Sequence, residues 1–193
     1  MPTPKILIIP GSLRTGSHNA RLAALAGKEL ALLEAEVTRI SLDDYALPLF
    51  DADLVTTSGL PPVAVKLKRL LLAHNGVFIT SPEYTASVTP LLKNTIDWIS
   101  RVRDPGEAPY AAFKGRVFAI GSATNSSQGG VRSLMALRQI LELGCGALVI
   151  PEQIAVPRAE QAFDDMDSLK DEALATALKT AMRRLVELAG VMP

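Results

Sequence analysis

The chain has 193 residues, which corresponds to one domain at about 150 residues per domain. Hydrophobic residues make up 48% of the sequence and charged residues 21%, a globular composition that excludes a disordered or collagen-like chain. Lys and Arg together number 20, as do Asp and Glu, so no net charge attracts nucleic acid or an anionic membrane. We therefore expect a single globular domain over residues 1–193, with neither nucleic acid nor a membrane as partner.

The number of cysteines and the first residues of the sequence indicate whether a metal site is expected and in which compartment the protein lies. Cys145 is the only cysteine, which excludes an intramolecular disulfide and cysteine-rich metal sites, and we expect it to be a small buried apolar side chain. The first residues lack the layout of a signal peptide, and no apolar run approaches the roughly 18 residues of a membrane span. The prediction is a cytoplasmic protein without a bound metal.

Short apolar runs alternate with longer segments of helical periodicity. Runs without polar alternation are typical of strands buried on both faces, as in a parallel sheet covered by helices. The predicted strands are residues 6–9, 37–40, 77–79, 117–120 and 147–150. Polar residues in the second run indicate a position near an edge of the sheet. Pro151 is expected to interrupt the fifth strand, which continues around residues 154–156.

Apolar side chains at helical spacing predict helices between these strands and after the last one. The apolar stripes are Leu22, Leu25, Ala26, Leu30 and Leu33; Val63, Leu67, Leu70 and Leu71; Leu91, Leu92, Ile96 and Ile99; and Leu134, Leu137, Ile140 and Leu141. The last helix is predicted from about residue 167 to residue 189, and residues 43–62 show no clear periodicity.

Five strand–helix units with short connections predict a doubly wound α/β domain. The expected sheet has five parallel strands in the order 2-1-3-4-5 with helices on both faces, although the pattern alone also allows a six-stranded Rossmann order. Ligands of such sheets bind at the carboxyl ends of the strands, where the strand order reverses. The loops after the first, third and fourth strands are therefore the candidate site.

The loop after the first strand, residues 10–19, is rich in groups that bind phosphate oxygens. These groups and the glycines that let a backbone come close are Gly11, Ser12, Arg14, Gly16, Ser17 and Asn19. The loop opens a helix, whose free N–H groups and dipole favour an anion. A serine or asparagine helix cap with turn glycines is the alternative interpretation.

The spacing within this loop narrows the choice of anion. No lysine occurs between Lys5 and Lys28, which excludes a Walker loop for a nucleoside triphosphate. Gly11 and Gly16 do not form the Gly-x-Gly-x-x-Gly pattern of a dinucleotide site.

A second motif follows the third strand. It reads Pro-Glu-Tyr-Thr-x-Ser over residues 82–87 and Leu-Lys-Asn-x-Ile-Asp-Trp over residues 92–98. With Gly-Ser-x-Arg-x-x-Ser-x-Asn over residues 11–19, it resembles the NAD(P)H-dependent FMN reductases with a flavodoxin-like fold, a group that includes quinone, azo-dye and chromate reductases. Residues 47–51 also resemble that family's loop after the second strand. Thr85 departs from the family, which usually has Asn there.

The resemblance implies an FMN-dependent oxidoreductase that takes hydride from NADPH or NADH and reduces quinones, free flavin or similar small oxidants by a ping-pong mechanism. The flavin would carry the chemistry, so no catalytic side chain is expected. The implied phosphate-binding residues are Ser12, Leu13, Arg14, Thr15, Gly16, Ser17, His18 and Asn19, with His18 as a solvent-facing spacer. The residues implied to hold the flavin ring are Pro82, Glu83, Tyr84, Thr85 and Ser87.

The roles of Glu83, Tyr84 and the loop after the fourth strand each allow two interpretations. Glu83 is expected to present its backbone to the flavin edge rather than to act as an acid, and Tyr84 either stacks on the ring or packs ordinarily. In the loop at residues 121–130, the resemblance implies that Ser122 or Thr124 reaches the ring or the ribityl chain. The alternative is a flexible polar loop with a helix start at residues 129–130.

The resemblance also implies a homodimer or homotetramer, with the helix of Trp98 at the interface and Trp98 itself exposed on the monomer. Two further classes of function remain open. A non-enzymatic flavodoxin-type electron carrier is the first, although such carriers are strongly acidic around the flavin and this chain has no net charge. An FMN-free phosphate-binding or regulatory module is the second.

Overall fold

The computed structural model describes residues 3–192, which form one five-stranded parallel sheet flanked by helices. The strands are β1 (Lys5–Pro10), β2 (Glu36–Arg39), β3 (Gly76–Thr80), β4 (Val117–Ala123) and β5 (Leu148–Val156). Their order in the sheet is β2-β1-β3-β4-β5 and every pair is parallel. The predicted order is confirmed, as is the edge position of β2.

Seven α-helices connect and follow these strands in the described part of the chain. They are α1 (His18–Leu32), α2 (Ala52–Ser58), α3 (Pro62–Leu72), α4 (Pro90–Arg101), α5 (Val131–Gln139), α6 (Ala159–Ala162) and α7 (Glu172–Ala189). A 3-10 turn over Leu42–Tyr45 follows β2, and a π-helical turn over Ile140–Gly144 extends α5. None of these helices combines the length and the apolar character needed to cross a membrane.

The core lies in two layers, one on each face of the sheet. Ile6 and Ile8 pack with α1 and α7 on one face, whereas Leu7 and Ile9 pack with α3, α4 and α5 on the other. This alternation explains the continuous apolar run of β1, since successive strand side chains point to opposite faces and both are covered. Each such Leu or Ile contributes about 1.5–3 kcal/mol by burial. Cys145 is 3% exposed, as predicted, and burial raises its pKa to about 11.

Two predicted boundaries are wrong and one helix was not predicted, each for a local reason. The last helix begins at Glu172 rather than near residue 167, because Asp171 caps it by accepting the backbone N–H groups of Ala173 and Leu174. The aperiodic stretch 43–62 contains α2, a helix of seven residues that fully buries no side chain and only partly buries Leu54 and Val55, which is too little for a detectable apolar stripe. β5 continues through Pro151, with a shift in its register against β4, because it is an edge strand and one missing N–H is tolerated there.

Trp98 corrects another expectation, because it is fully buried instead of exposed. Its indole Nε1 donates to the Pro48 carbonyl at 2.7 Å, and the Phe50 ring meets it edge-on at 5.0 Å between centroids. Asn94 of the same helix accepts the Phe50 N–H at 2.7 Å and donates to Pro48 O at 2.9 Å. This part of the second motif therefore fastens the loop after β2 onto α4.

Candidate functional site

The three candidate loops meet at the carboxyl ends of β1, β3 and β4, around a cavity of about 220 Å³. The residues that line it, which we call the anion pocket, are Ser12, Arg14, Ser17, His18, Asn19, Pro82, Glu83, Tyr84, Ala123, Thr124 and Asn125. Ala123 and Asn125 were not predicted, although they flank Thr124 in the same loop. The predicted residues outside the lining are Leu13, Thr15, Gly16, Thr85, Ser87 and Ser122.

Gly11 sets how closely the first loop approaches β3. Its N–H donates to the Thr80 carbonyl at 2.6 Å, and a Cβ at this position would lie 2.9 Å from the same oxygen. Thr89 Oγ1 in turn donates to the Gly11 carbonyl at 2.8 Å. The motif glycine is thus required by backbone packing, which brings the loop after β1 against the start of α4.

Several polar side chains in the loop after β1 retain hydrogen-bond donors that no group in the described chain uses. Ser17 is the cap of α1, since its Oγ accepts the Ala20 N–H at 3.3 Å, so the helix-cap interpretation is correct as far as it goes. The hydroxyl proton of Ser17 has no acceptor among residues 3–192 and can still donate to a ligand. Arg14 is exposed, and its guanidinium donates only to the Gly16 carbonyl at 3.1 Å and pairs with no carboxylate in the described chain.

Asn19 lines the pocket and also holds two elements together. It is 2% exposed, and its amide oxygen accepts the Ala123 N–H at 3.0 Å while its Nδ2 donates to the Ala123 carbonyl at 2.8 Å. These two bonds clamp the start of α1 to the end of β4. Asn19 therefore positions the pocket walls, with one amide hydrogen left for a ligand.

His18 is not the solvent-facing spacer that was expected. It is half-buried, and its Nδ1 is buried without a hydrogen-bond partner in the described chain. Burial lowers the pKa of His18 below its ordinary value of 6.5, as do the charges of Arg14 and Arg21, while Glu160 opposes them. The imidazole is neutral at pH 7, in surroundings whose positive charge suits an anion.

The loop after β3 is held by contacts of its own. The Glu83 side chain is 7% exposed, accepts the Arg132 N–H at 3.1 Å and forms an ion pair with the Arg132 guanidinium. Tyr84 and Ser87 exchange two backbone hydrogen bonds of 2.9 and 3.0 Å around a tight turn. Tyr84 is 51% exposed at the rim of the pocket, and Ser87 lines another cavity, against α5.

In the loop after β4, Thr124 lines the pocket and Ser122 does not. Ser122 is fully buried, its Oγ lies under Gly130 with no hydrogen-bond partner among residues 3–192, and it does not line the pocket. Thr124 does line the pocket, with its Oγ1 at 2.9 Å from Ser126 Oγ. Its backbone is tied to the end of β5 through the Val156 carbonyl at 3.1 Å. Gly130 caps α5, so the alternative of a helix start is correct for that glycine.

The residues present suit FMN. Free hydroxyls, an unpaired guanidinium and the N–H groups at the start of α1 match a terminal phosphate. The edge formed by Pro82, Glu83 and Tyr84, with the exposed tyrosine ring, offers a surface along which a flat ring can lie. In the part of the chain from residue 3 to residue 192, no three His, Cys, Asp or Glu side chains converge to hold a metal ion.

Comparison with known proteins also indicates a flavin enzyme. The family model described as NADPH-dependent FMN reductase matches residues 4–161. An NAD(P)H-dependent FMN reductase of Pseudomonas aeruginosa is 33% identical over 182 residues, covering 94% of this chain and 92% of that protein. A quinone reductase of Escherichia coli is 37% identical over 138 residues, covering 71% of this chain and 69% of the relative.

The fold comparison agrees. The flavoenzyme NAD(P)H:(acceptor) oxidoreductase of Paracoccus denitrificans superimposes with a TM-score of 0.78 and 26% identity, covering 97% of this chain and 98% of that one. The flavodoxin-like architecture expected from the motifs is thereby confirmed.

Proposed function

Because this chain belongs to the family of NADPH-dependent FMN reductases, we propose that it reduces quinones, free flavin or similar small oxidants by a ping-pong mechanism. Family membership makes it an oxidoreductase that uses FMN, with NAD(P)H as co-substrate. The choice of acceptors and the order of steps are the parts that we propose.

One observation carries the proposal: an arginine and two serines, which have no anionic partner in the described chain, face a pocket that the exposed Tyr84 borders on its other side. Arg14, Ser12 and Ser17 would hold the phosphate of FMN, and the start of α1 would add backbone donors. Pro82, Glu83 and Tyr84 would hold the ring. When bound, FMN supplies the hydride chemistry, accepting two electrons from the nicotinamide and delivering them to the oxidant.

No carboxylate among the described lining residues is free, and hydride transfer through FMN requires no acid or base from the pocket. Glu83 is the one acid among the described lining residues, and it is already engaged by Arg132. His18 is neutral at pH 7 because its pKa is lowered by burial and by the nearby guanidinium groups. The side chains therefore bind and orient, and nicotinamide and acceptor would enter in turn beside Tyr84, on one open side of the pocket. A shared entrance requires that one product leaves before the second substrate binds.

The test begins with an absorbance spectrum of the purified protein, followed by anaerobic mixing with NADPH or NADH. We expect a flavin spectrum that either nicotinamide bleaches without an acceptor, and parallel double-reciprocal plots at several quinone concentrations. Intersecting plots, or bleaching that needs the acceptor, would refute the shared site. A colourless protein that rejects FMN would instead support a phosphate-binding module.

The alternative electron carrier differs in one measurable respect, because it would keep an oxidised flavin when mixed with NADPH alone. The zero net charge also disfavours it, since electron carriers use an acidic surface to reach their partners. We further propose that the protein is cytoplasmic and assembles as a homodimer or homotetramer. Light scattering during size-exclusion chromatography distinguishes both assemblies from a monomer.

A further inference from the structure

A second cavity adjoins the anion pocket at the carboxyl ends of β1 and β2. Its volume is about 370 Å³, and it shares Ser12 with the anion pocket. The residues that line it, which we call the β2 cavity, are Pro10, Ser12, Ala20, Arg39, Ile40, Ser41 and Asp44. Neither sequence motif includes the side chains after β2, and the proposed flavin site does not use them.

Arg39 is the cationic group of this cavity, and it has no partner in the described part of the chain. It is the last residue of β2 and lies opposite Ile8 in the parallel ladder, while the next residue donates its N–H to Ile8 O at 3.1 Å. The sheet therefore fixes its backbone. Its exposed side chain has no hydrogen-bond or ion-pair partner among residues 3–192. A guanidinium beside a cavity, with a planar fork of donors left free, matches a phosphate.

Two neighbouring groups narrow the ligand further. Ser41 Oγ accepts the Asp43 N–H at 3.3 Å, which leaves its hydroxyl proton to donate. Asp44 lines the same cavity as Arg39 but lies beyond ion-pair distance from it, and its carboxylate only accepts hydrogen bonds. A bare anion would be repelled by Asp44. A ligand that carries both a phosphate and sugar hydroxyls satisfies all three groups.

Another free arginine provides a comparison at the far end of the sheet. Arg158 follows β5 and is exposed. Its guanidinium has no hydrogen-bond or ion-pair partner within the described chain. Its cavity, however, measures only about 110 Å³, and the Glu160 carboxylate in it already accepts a bond from Asn125 at 2.8 Å. The space and the mixed donors and acceptors that a nucleoside needs occur at Arg39.

We propose that the β2 cavity binds the phosphorylated adenosine ribose of NADPH, with Arg39 on the 2′-phosphate and Asp44 accepting from the neighbouring ribose hydroxyl. The proposal rests on the proposed function, because it requires a nicotinamide dinucleotide as reductant. NADH carries a hydroxyl where NADPH carries this phosphate, so Arg39 makes the protein prefer NADPH.

The experiment titrates the FMN-loaded protein with 2′,5′-ADP and with 5′-AMP in a calorimeter, using wild type, Arg39→Gln and the matched control Arg158→Gln. We expect Arg39→Gln to weaken 2′,5′-ADP by about tenfold or more, the loss of one charge-assisted contact, and to leave 5′-AMP within about twofold. The same variant should raise the KM for NADPH without changing its kcat, and leave NADH kinetics unaltered. Arg158→Gln should behave as wild type.

Equal losses for both nucleotides, no loss at all, or a wild type that binds 2′,5′-ADP no more tightly than 5′-AMP would overturn the assignment. An effect of Arg158→Gln as large as that of Arg39→Gln would overturn it too. These failures are distinct from failure of the proposed function, because bleaching of the bound flavin by NADH is measured independently on every variant.

Discussion

The loops after β1 and β3 border the same pocket, and both contain left-handed backbone, but they use different residue types for it. The first uses a glycine, Gly16 at φ +67°, where a left-handed backbone is required. The second places Thr85 at φ +47° and Ala86 at φ +61°, a turn that favours Asn and Gly at both positions. A β-branched residue in this region is strained, so the surrounding contacts must hold the turn in place.

The two loops also differ in what their polar groups do. In the loop after β1, Arg14 pairs with no carboxylate among residues 3–192, and the hydroxyl proton of Ser17 has no acceptor there. In the loop after β3, Glu83 is paired with Arg132, and Tyr84 is bonded to Ser87 through the backbone. The loop after β1 thus forms a wall of the pocket with donors to spare, which we call the charged wall, whereas the loop after β3 forms a wall held by its own contacts, which we call the stiff wall. Affinity for the phosphate should therefore depend on the first wall and the shape of the ring site on the second.

The largest expected effect comes from removing the charged wall. Arg14→Ala combined with Ser17→Ala should weaken FMN at least about a hundredfold, since each charge-assisted bond contributes about 1.5–3 kcal/mol. Riboflavin lacks the phosphate and should be hardly affected. Calorimetric titration of the apoprotein with both ligands measures the difference. Arg14→Ala alone is the control, because Ser17 also caps α1, and equal losses for both ligands would place the phosphate elsewhere.

The next effect comes from releasing the stiff wall. Glu83→Ala leaves Arg132 without its carboxylate and should lower the free energy of unfolding by about 1.5–3 kcal/mol, as for hydrogen bonds to charged groups. FMN and riboflavin should weaken by the same factor, in contrast to the first variant. Urea denaturation and the two titrations provide the measurements. Glu83→Gln keeps an acceptor for the Arg132 N–H and should lose less, and a phosphate-selective loss in Glu83→Ala would contradict the division between the walls.

A smaller effect of opposite sign is expected from relieving the strained turn. Thr85→Asn restores the residue that the family usually has, and Asn tolerates the left-handed region that costs other residues about 1–2 kcal/mol. The variant should gain about 0.5–1 kcal/mol in urea denaturation. Thr85→Val keeps the β-branched shape and should show no gain. If Asn and Val behave alike, strain at this position is not what distinguishes the two loops.

The smallest effect concerns His18 and pH. Its folded pKa is lowered by burial and by Arg14 and Arg21, so the unfolded chain binds more protons as pH falls below the ordinary value of 6.5. The stability of the wild-type apoprotein relative to His18→Phe should thus be constant above that pH and decline below it. Thermal melts from pH 5 to pH 8 test the direction. A relative stability that rises on acidification would show that an anionic group such as Glu160, and not burial and the two arginines, dominates the pKa of His18.

Much of the fold and the position of the site follow from local sequence patterns. The apolar runs of β1, β3 and β4 are buried on both faces, which permits only strands covered by helices on both sides. The strand order then places the polar loops at one edge of the sheet, where they line the anion pocket. The two motifs at their spacing identify the family. These inferences succeed because periodicity and loop chemistry are properties of neighbouring residues.

What the sequence left undecided depends on partners that are distant along the chain. The motif residues Asn19 and Trp98 resemble ligand and interface residues, yet the structure commits them to Ala123 and Pro48, 104 and 50 positions away. Ser122 has a suitable hydroxyl, but Gly130 covers it. Arg39 carries no motif at all, and only the sheet places it beside Ser12. A side chain's available donors depend on which groups tertiary packing brings within about 3 Å, and no local pattern encodes that.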